Sequence, residues 1–303
     1  MQAVRRFIDG DVFYSFRHSP LTILAAATLA ICIFAAVFAP WVAPHNPFDL
    51  KTLNLLDAFT PPAFTEKGTD TYFLGTDDQG RDVLSAIIFG SRMSLLIGLF
   101  ATMLATVFGV AMGLISGYVG GRLDAFIMRV ADVQLSFPAI LIALLIDGVA
   151  HVVLPKGSHD QLAVYVLVVA IAASGWVSYA RTVRGSTLVE RNKEYVQAAR
   201  VIGRHPLAIM FSHVLPNVLG PVLVIATLQI GAAIITESAL SYLGVGVPPT
   251  QPSLGTLIRI GNDFLFSGEW WITVFPGAAL VVLVLSINVL GDWLRDALNP
   301  KLR

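Results

Sequence analysis

Four polar side chains interrupt stretches that are otherwise apolar: Asp147, Gln229, Glu237 and Asn288. Ionisable and amide groups are expensive in hydrocarbon, so residues of this kind mark solute routes by default. At 1.5 Å per residue, Glu237 falls about 28 Å beyond Val218 and Asp147 about 21 Å beyond Val133, in the outer part of their helices. Gln229 and Asn288 lie deeper. The set predicts a pathway suited to a polar, zwitterionic solute; the alternative is that the two carboxylates simply reach headgroup water. Reaction chemistry has no candidate. The chain contains no His-Glu-x-x-His, no Cys-x-x-Cys, no Gly-x-Ser-x-Gly and no Gly-x-x-x-x-Gly-Lys-Ser/Thr phosphate loop. Neither a catalytic nor a metal site is expected.

The elements that carry these groups follow from composition. Of 303 residues, 55% are hydrophobic and only 13% charged, about half the charged share of soluble domains. Mean hydropathy is +0.73. Twenty basic residues balance twenty acidic ones, so no basic field points to nucleic acid. The single Cys32 excludes a disulfide scaffold. The chain is expected to be an all-α integral membrane protein whose solvent is lipid.

A bilayer core needs about 20 apolar residues per helix. Six stretches qualify: Leu21–Val42, Ser94–Gly117, Val133–Leu154, Leu162–Ala180, Val218–Leu243 and Trp271–Leu290. The first is longer than a signal-peptide core and is expected to stay in the mature chain. Lysine and arginine divide 14 to 6 between the two sides when the N-terminus is inside, which predicts that both termini are cytoplasmic. The expected layout is a tail at 1–20, a first span at 21–43, an external loop at 44–93, a five-span unit at 94–293 and a tail at 294–303. Within the second span, Gly109, Gly113 and Gly117 recur every four residues. They bare one helix face for a close helix crossing.

The most informative polar segment lies within 188–217. Glu194-Tyr195-Val196-Gln197-Ala198-Ala199 consists largely of good helix formers and runs on to Gly203, a helix-ending residue. Pro206 suits the first turn of a second short helix, and Leu215-Pro216 precede the fifth span. The Ala198–Ala199 pair would offer a small face to another protein.

Gln197-Ala198-Ala199, Gly203 and Leu215-Pro216 resemble, in residue and spacing, the "EAA" coupling loop of ATP-binding-cassette import permeases. Gln197 stands where that family usually has Glu, and His213 where it has an apolar residue. Further stretches are similar to the C-type permease of the dipeptide/oligopeptide/nickel group. They include Leu74-Gly75-Thr76-Asp77, Gly80-Arg81-Asp82, Met128-Arg129-Val130-Ala131-Asp132, Phe275-Pro276-Gly277, and a tail ending Asn299-Pro300 where Asp-Pro is usual.

The resemblance implies a type I importer permease fold in a bacterial inner membrane, surrounded by membrane lipid. It implies a second homologous permease, two ATPase subunits that bind ATP and Mg, and an external solute-binding protein. No cofactor is expected in this chain and no ATPase activity of its own. The implied coupling residues are Glu194, Gln197, Ala198, Ala199, Gly203, Leu215 and Pro216. Short peptides are the implied solute, with nickel chelates, opines or another small polar compound as alternatives. A proton-coupled secondary transporter is the alternative from another class.

Overall fold

A computed structural model describes residues 11–49, 53–155 and 159–297. Of the lysines and arginines counted above, Arg5, Arg6, Lys51, Lys156, Lys301 and Arg303 lie outside the described residues, as do Asn299 and Pro300 of the tail.

Helices form along the long apolar runs, two of them with a proline inside, Pro221 and Pro276. In chain order they are α1 (Asp11–Arg17), α2 (Pro20–Val37), the short α3 (Ala39–Val42), α4 (Val83–Val119), α5 (Gly121–Leu135), α6 (Ala139–Val153) and α7 (His159–Glu190). They continue with α8 (Glu194–Val201), α9 (Pro206–Ile209), α10 (Leu215–Tyr242), α11 (Leu254–Asn262) and α12 (Trp271–Ala297). No strand occurs among the described residues. Five helical stretches are long and apolar enough to cross a membrane, and the pair α5–α6 qualifies as a sixth if counted as one bent span.

That bend corrects the continuous span expected over Val133–Leu154. The two helices meet at 96° because Pro138 can donate no backbone hydrogen bond and clashes with an incoming helix. Ser136 and Phe137 close the turn onto the Val133 and Gln134 carbonyls. The stretch 118–132, read as a connection, is mostly the helix α5.

Other boundaries also move. α4 begins at Val83 rather than Ser94, capped by the Asp82 side chain, which accepts from the Ser85 amide at 3.0 Å. The external loop therefore ends at Asp82, and Arg92 belongs to a helix. At its other end α7 continues to Glu190, so Arg181 and Arg184 are helical rather than in a loop. The first span stops at Val37 and restarts at Ala39 with Pro40 in the first turn. The 244–270 connection contains α11, which no hydrophobic periodicity had announced.

α4, α7 and α10 form the centre. The stripe of Gly109, Gly113 and Gly117 lies directly on α7: a Cβ at Gly113 would sit 2.4 Å from the Ala180 carbonyl oxygen and 2.8 Å from the Val183 Cβ. One at Gly117 would sit 2.7 Å from the Thr187 Cβ. The stripe thus serves close helix packing. On the flank, α2 and α12 pack on each other and on α4. α5 is tied across the ends of α4 and α7 by Arg184, which pairs with Asp124 at 2.5 and 2.6 Å. Arg181 pairs with Asp132 beside it. At the opposite end the 53–82 element folds over the bundle, where Trp271 Nε1 donates to the Thr76 carbonyl at 3.0 Å.

Candidate coupling segment and membrane cavity

The segment after α7 is built as expected in its first half. α8 ends at Val201 with Ile202 as its cap, and Gly203 follows with φ of +79°. The Gly203 amide donates to the Arg200 carbonyl at 2.9 Å and the Arg204 amide to Ala199 at 3.1 Å. This double closure is a Schellman motif, whose left-handed residue favours glycine. An added Cβ there would meet nothing within 4 Å. The constraint is conformational within this chain, and the space outside is open.

The second half differs. Pro206 starts α9, and His205 accepts from the Leu207 amide at 3.3 Å, but no separate short helix follows. The chain passes through a widened turn at 210–214 and enters α10 directly, so Pro206–Tyr242 reads as one long helical stretch. Pro216 sits in the first turn of α10, where its missing amide is not needed.

The Ala198–Ala199 pair does not form one face. Successive helical residues point about 100° apart. Ala199 is buried with Val196 against Ile209, Met210, Val214 and Val218, whereas Ala198 faces out with Glu194 and Gln197. The outward surface also carries Val201 and Ile202, 88% and 79% exposed. Leu215 is half-buried and Pro216 exposed.

Polar ties that the sequence did not disclose hold this helix to the membrane part. Tyr195 donates its hydroxyl to Glu190, and Lys193 Nζ lies 2.5 Å from the other Glu190 oxygen. Asn217 Nδ2 donates to the Tyr195 hydroxyl at 3.1 Å and to the His213 carbonyl at 2.7 Å. Burial, then the Glu190 bond, pushes the Tyr195 hydroxyl up to about 12, so it remains a donor at neutral pH. Arg200 stacks over the Tyr118 ring at 5.0 Å, and Arg191 donates to the Gly117 carbonyl at 2.8 Å. The helix is thereby fastened to the ends of α4, α7 and α10 together. The sequence signal was thin: Tyr195 and Asn217 are 22 residues apart.

The four intramembrane polar residues do not share one place. Gln229 alone lines an open cavity of about 250 Å³ between α4, α7 and α10, with Thr102, Ser174, Ser178 and Thr236. Glu237 is fully buried instead of facing a path or headgroup water. It accepts from Ser94 at 2.8 Å, Ser241 at 2.7 Å and Ser238 at 3.3 Å. Ser94 in turn accepts from the Leu254 amide and Ser241 from the Val247 amide. Glu237 therefore ties α4, α10 and the start of α11. Asp147 is also buried, 3.6 Å from exposed His151. Asn288 packs on Gly231, its Oδ1 lying 2.5 Å from where a Cβ there would stand.

Residues 109–303 match the family described as the inner membrane component of binding-protein-dependent transport systems. Residues 10–62 match the N-terminal transmembrane domain of oligopeptide transport permease C. The chain belongs to this permease family. A di/tripeptide transport system permease protein of Pseudomonas aeruginosa is 38% identical over 97% of this chain and 92% of its own length. A dipeptide transport system permease protein of Escherichia coli K12 is 39% identical over 97% and 93%. An oligopeptide transport system permease protein of Bacillus subtilis is 38% identical over 97% and 90%. Among solved structures, an inward-facing MetNI methionine ABC transporter matches with TM-score 0.54 at 17% identity, covering 71% of this permease and 96% of that chain. That likeness concerns the fold alone, and it agrees with a type I importer permease.

Proposed function

We propose that this permease imports dipeptides or oligopeptides by coupling ATP hydrolysis in partner subunits to movement of its own helices. The observation that carries the reading is α8 itself. Val196 and Ala199 lock the helix to the core, while Gln197, Ala198, Val201 and Ile202 face out beside the open, left-handed Gly203. A short helix with exposed apolar residues, tied to three membrane helices at once, is suited to receive a push and pass it on. Two ATPase subunits holding ATP and Mg would dock there, and this chain supplies no hydrolytic residues of its own. A second permease would complete the pathway, and an external binding protein would deliver solute. In this reading both termini are cytoplasmic, in a bacterial inner membrane. Gln229 and its hydroxyl neighbours supply the chain's polar lining for the solute. The names of the relatives support peptides; nickel chelates and opines are the competing solutes. Family membership sets aside the proton-coupled alternative.

The test is reconstitution of the assembly with its binding protein and comparison of dipeptide uptake between wild type and Ala198→Glu. A charged side chain on the outward face should abolish ATP-driven uptake and release the ATPase subunits while leaving membrane insertion intact. Undiminished uptake would overturn the docking assignment. Orientation is read separately, in a Cys32→Ala background, from Leu56→Cys and Asn192→Cys. An impermeant thiol reagent added outside sealed cells should label the first and spare the second.

A further inference from the structure

On the flank away from the Gln229 cavity, α2, α4, α10 and α12 leave a groove of about 600 Å³, within the size range of ligand pockets. Its walls are aliphatic, from residues such as Ile33, Leu96, Ile230 and Leu290. Among the described residues one charged side chain lines it: Arg92. Arg92 is exposed, and among the described residues it has no ion pair or hydrogen bond.

Its depth gives that charge a meaning. α4 has 37 residues, about 55 Å of helix against about 30 Å of hydrocarbon. Its continuous apolar run starts at Ser94, so Arg92 falls where hydrocarbon gives way to headgroups, at the end away from Tyr118 and α8. From there the groove runs along α4 and α12 toward Trp293, whose buried indole N–H has no hydrogen-bond partner among the described residues. A cation at headgroup level above a long aliphatic trough matches an amphiphile with a phosphate at one end and an alkyl chain at the other. Arginine presents a planar fork of donors that fits phosphate oxygens. Among the described residues no carboxylate lines the groove, so an ammonium headgroup finds no counter-charge from them.

We propose that this groove binds one acidic phospholipid, its phosphate on Arg92 and an acyl chain between α2, α4 and α12. The lipid would fill the gap between the flanking pair α2–α12 and the central α4, making the bilayer part of the fold.

The experiment purifies the whole importer assembly from membranes holding equal phosphatidylglycerol and phosphatidylcholine. Retained lipid is then counted by mass spectrometry after detergent exchange. Wild type should keep about one phosphatidylglycerol in preference to phosphatidylcholine. Arg92→Gln should lower that retention about fivefold, the effect of one basic group near an acidic headgroup, and Arg92→Lys should largely restore it. Leu96→Trp fills the trough while leaving Arg92, and it should expel the lipid as well. This second variant decides the matter if Arg92→Gln assembles poorly. Equal retention in wild type, Arg92→Gln and Leu96→Trp overturns the proposal. So does efficient cross-linking of Leu96→Cys to the second permease in native membranes, because a protein helix would then occupy the groove.

Discussion

The α4–α7 seam and the α8 segment lie end to end in the same molecule and are held differently. Along the seam, Gly109, Gly113 and Gly117 press bare backbone against Trp176, Ala180 and Thr187, with no room for one added carbon. Lipid offers no hydrophobic gain for helix association, so close van der Waals packing must hold the pair. Around α8 the apolar anchor is limited to Val196 and Ala199, supplemented by side-chain hydrogen bonds and a cation over a ring, and an added carbon at Gly203 meets open space. The seam is closed to any addition, and the segment is fastened but accessible. Changes in the first should act on assembly of the membrane domain; changes in the second should act on transmission alone.

The sharpest way to break this contrast is Gly113→Leu. Its Cβ alone would stand 2.4 Å from the Ala180 carbonyl oxygen, so the larger side chain should cost about 3 kcal/mol or more as overpacking. The expected result is loss of monodisperse permease on size-exclusion chromatography. Recovery of a normally stable protein would mean that the seam tolerates separation. A smaller effect is expected at Glu237. Glu237→Gln keeps the volume but turns one acceptor into a donor facing hydroxyls, at about 1–3 kcal/mol. The thermal midpoint should fall with selectivity among acidic, neutral and basic peptides unchanged. Altered charge selectivity at unchanged stability would return Glu237 to the pathway.

The smallest effect sharpens the α8 side. Tyr195→Phe removes the bond to Glu190 and the acceptor for Asn217, worth about 1 kcal/mol. Amide exchange should rise over 194–204 and stay unchanged at the seam. The Tyr195 hydroxyl is raised in the folded protein, from 10.0 to about 12. Its contribution is therefore complete below about pH 10 and disappears as the pH climbs through 12. A local loss of protection already at pH 8 would contradict the clamp.

How much of this was legible in the sequence depended on the range of the interaction. Apolar runs announced the membrane helices, and Gly203 with Pro206 announced the break and restart of the α8 region, because each acts through its own backbone. The glycine stripe was visible as a pattern, although its partner α7 was not. What stayed hidden depended on distant partners. The Glu237 cluster joins Ser94 across 143 residues, so a carboxylate read as pathway-lining turned out to be a buried tie. The 96° bend is different, because Pro138 acts through its own backbone and is visible in the sequence as a residue that can kink or end a helix; only the size of the bend was not. Apolarity reports where helices are affordable and says little about which face meets another helix.

The central claim is that α8 transmits motion without holding the membrane domain together, and Gly203→Asp tests it most directly. The left-handed backbone at Gly203 costs a side-chain-bearing residue about 1–2 kcal/mol, and the added charge projects into the space where a partner would dock. Membrane insertion, ATPase copurification and ATP-driven peptide uptake should be measured on one preparation of that variant beside wild type. The account predicts normal insertion and a strain confined to the α8 turn, with uptake abolished and the ATPases either lost or hydrolysing ATP without transport. Normal uptake by Gly203→Asp would contradict it and reduce the segment to an ordinary connection between α7 and α10.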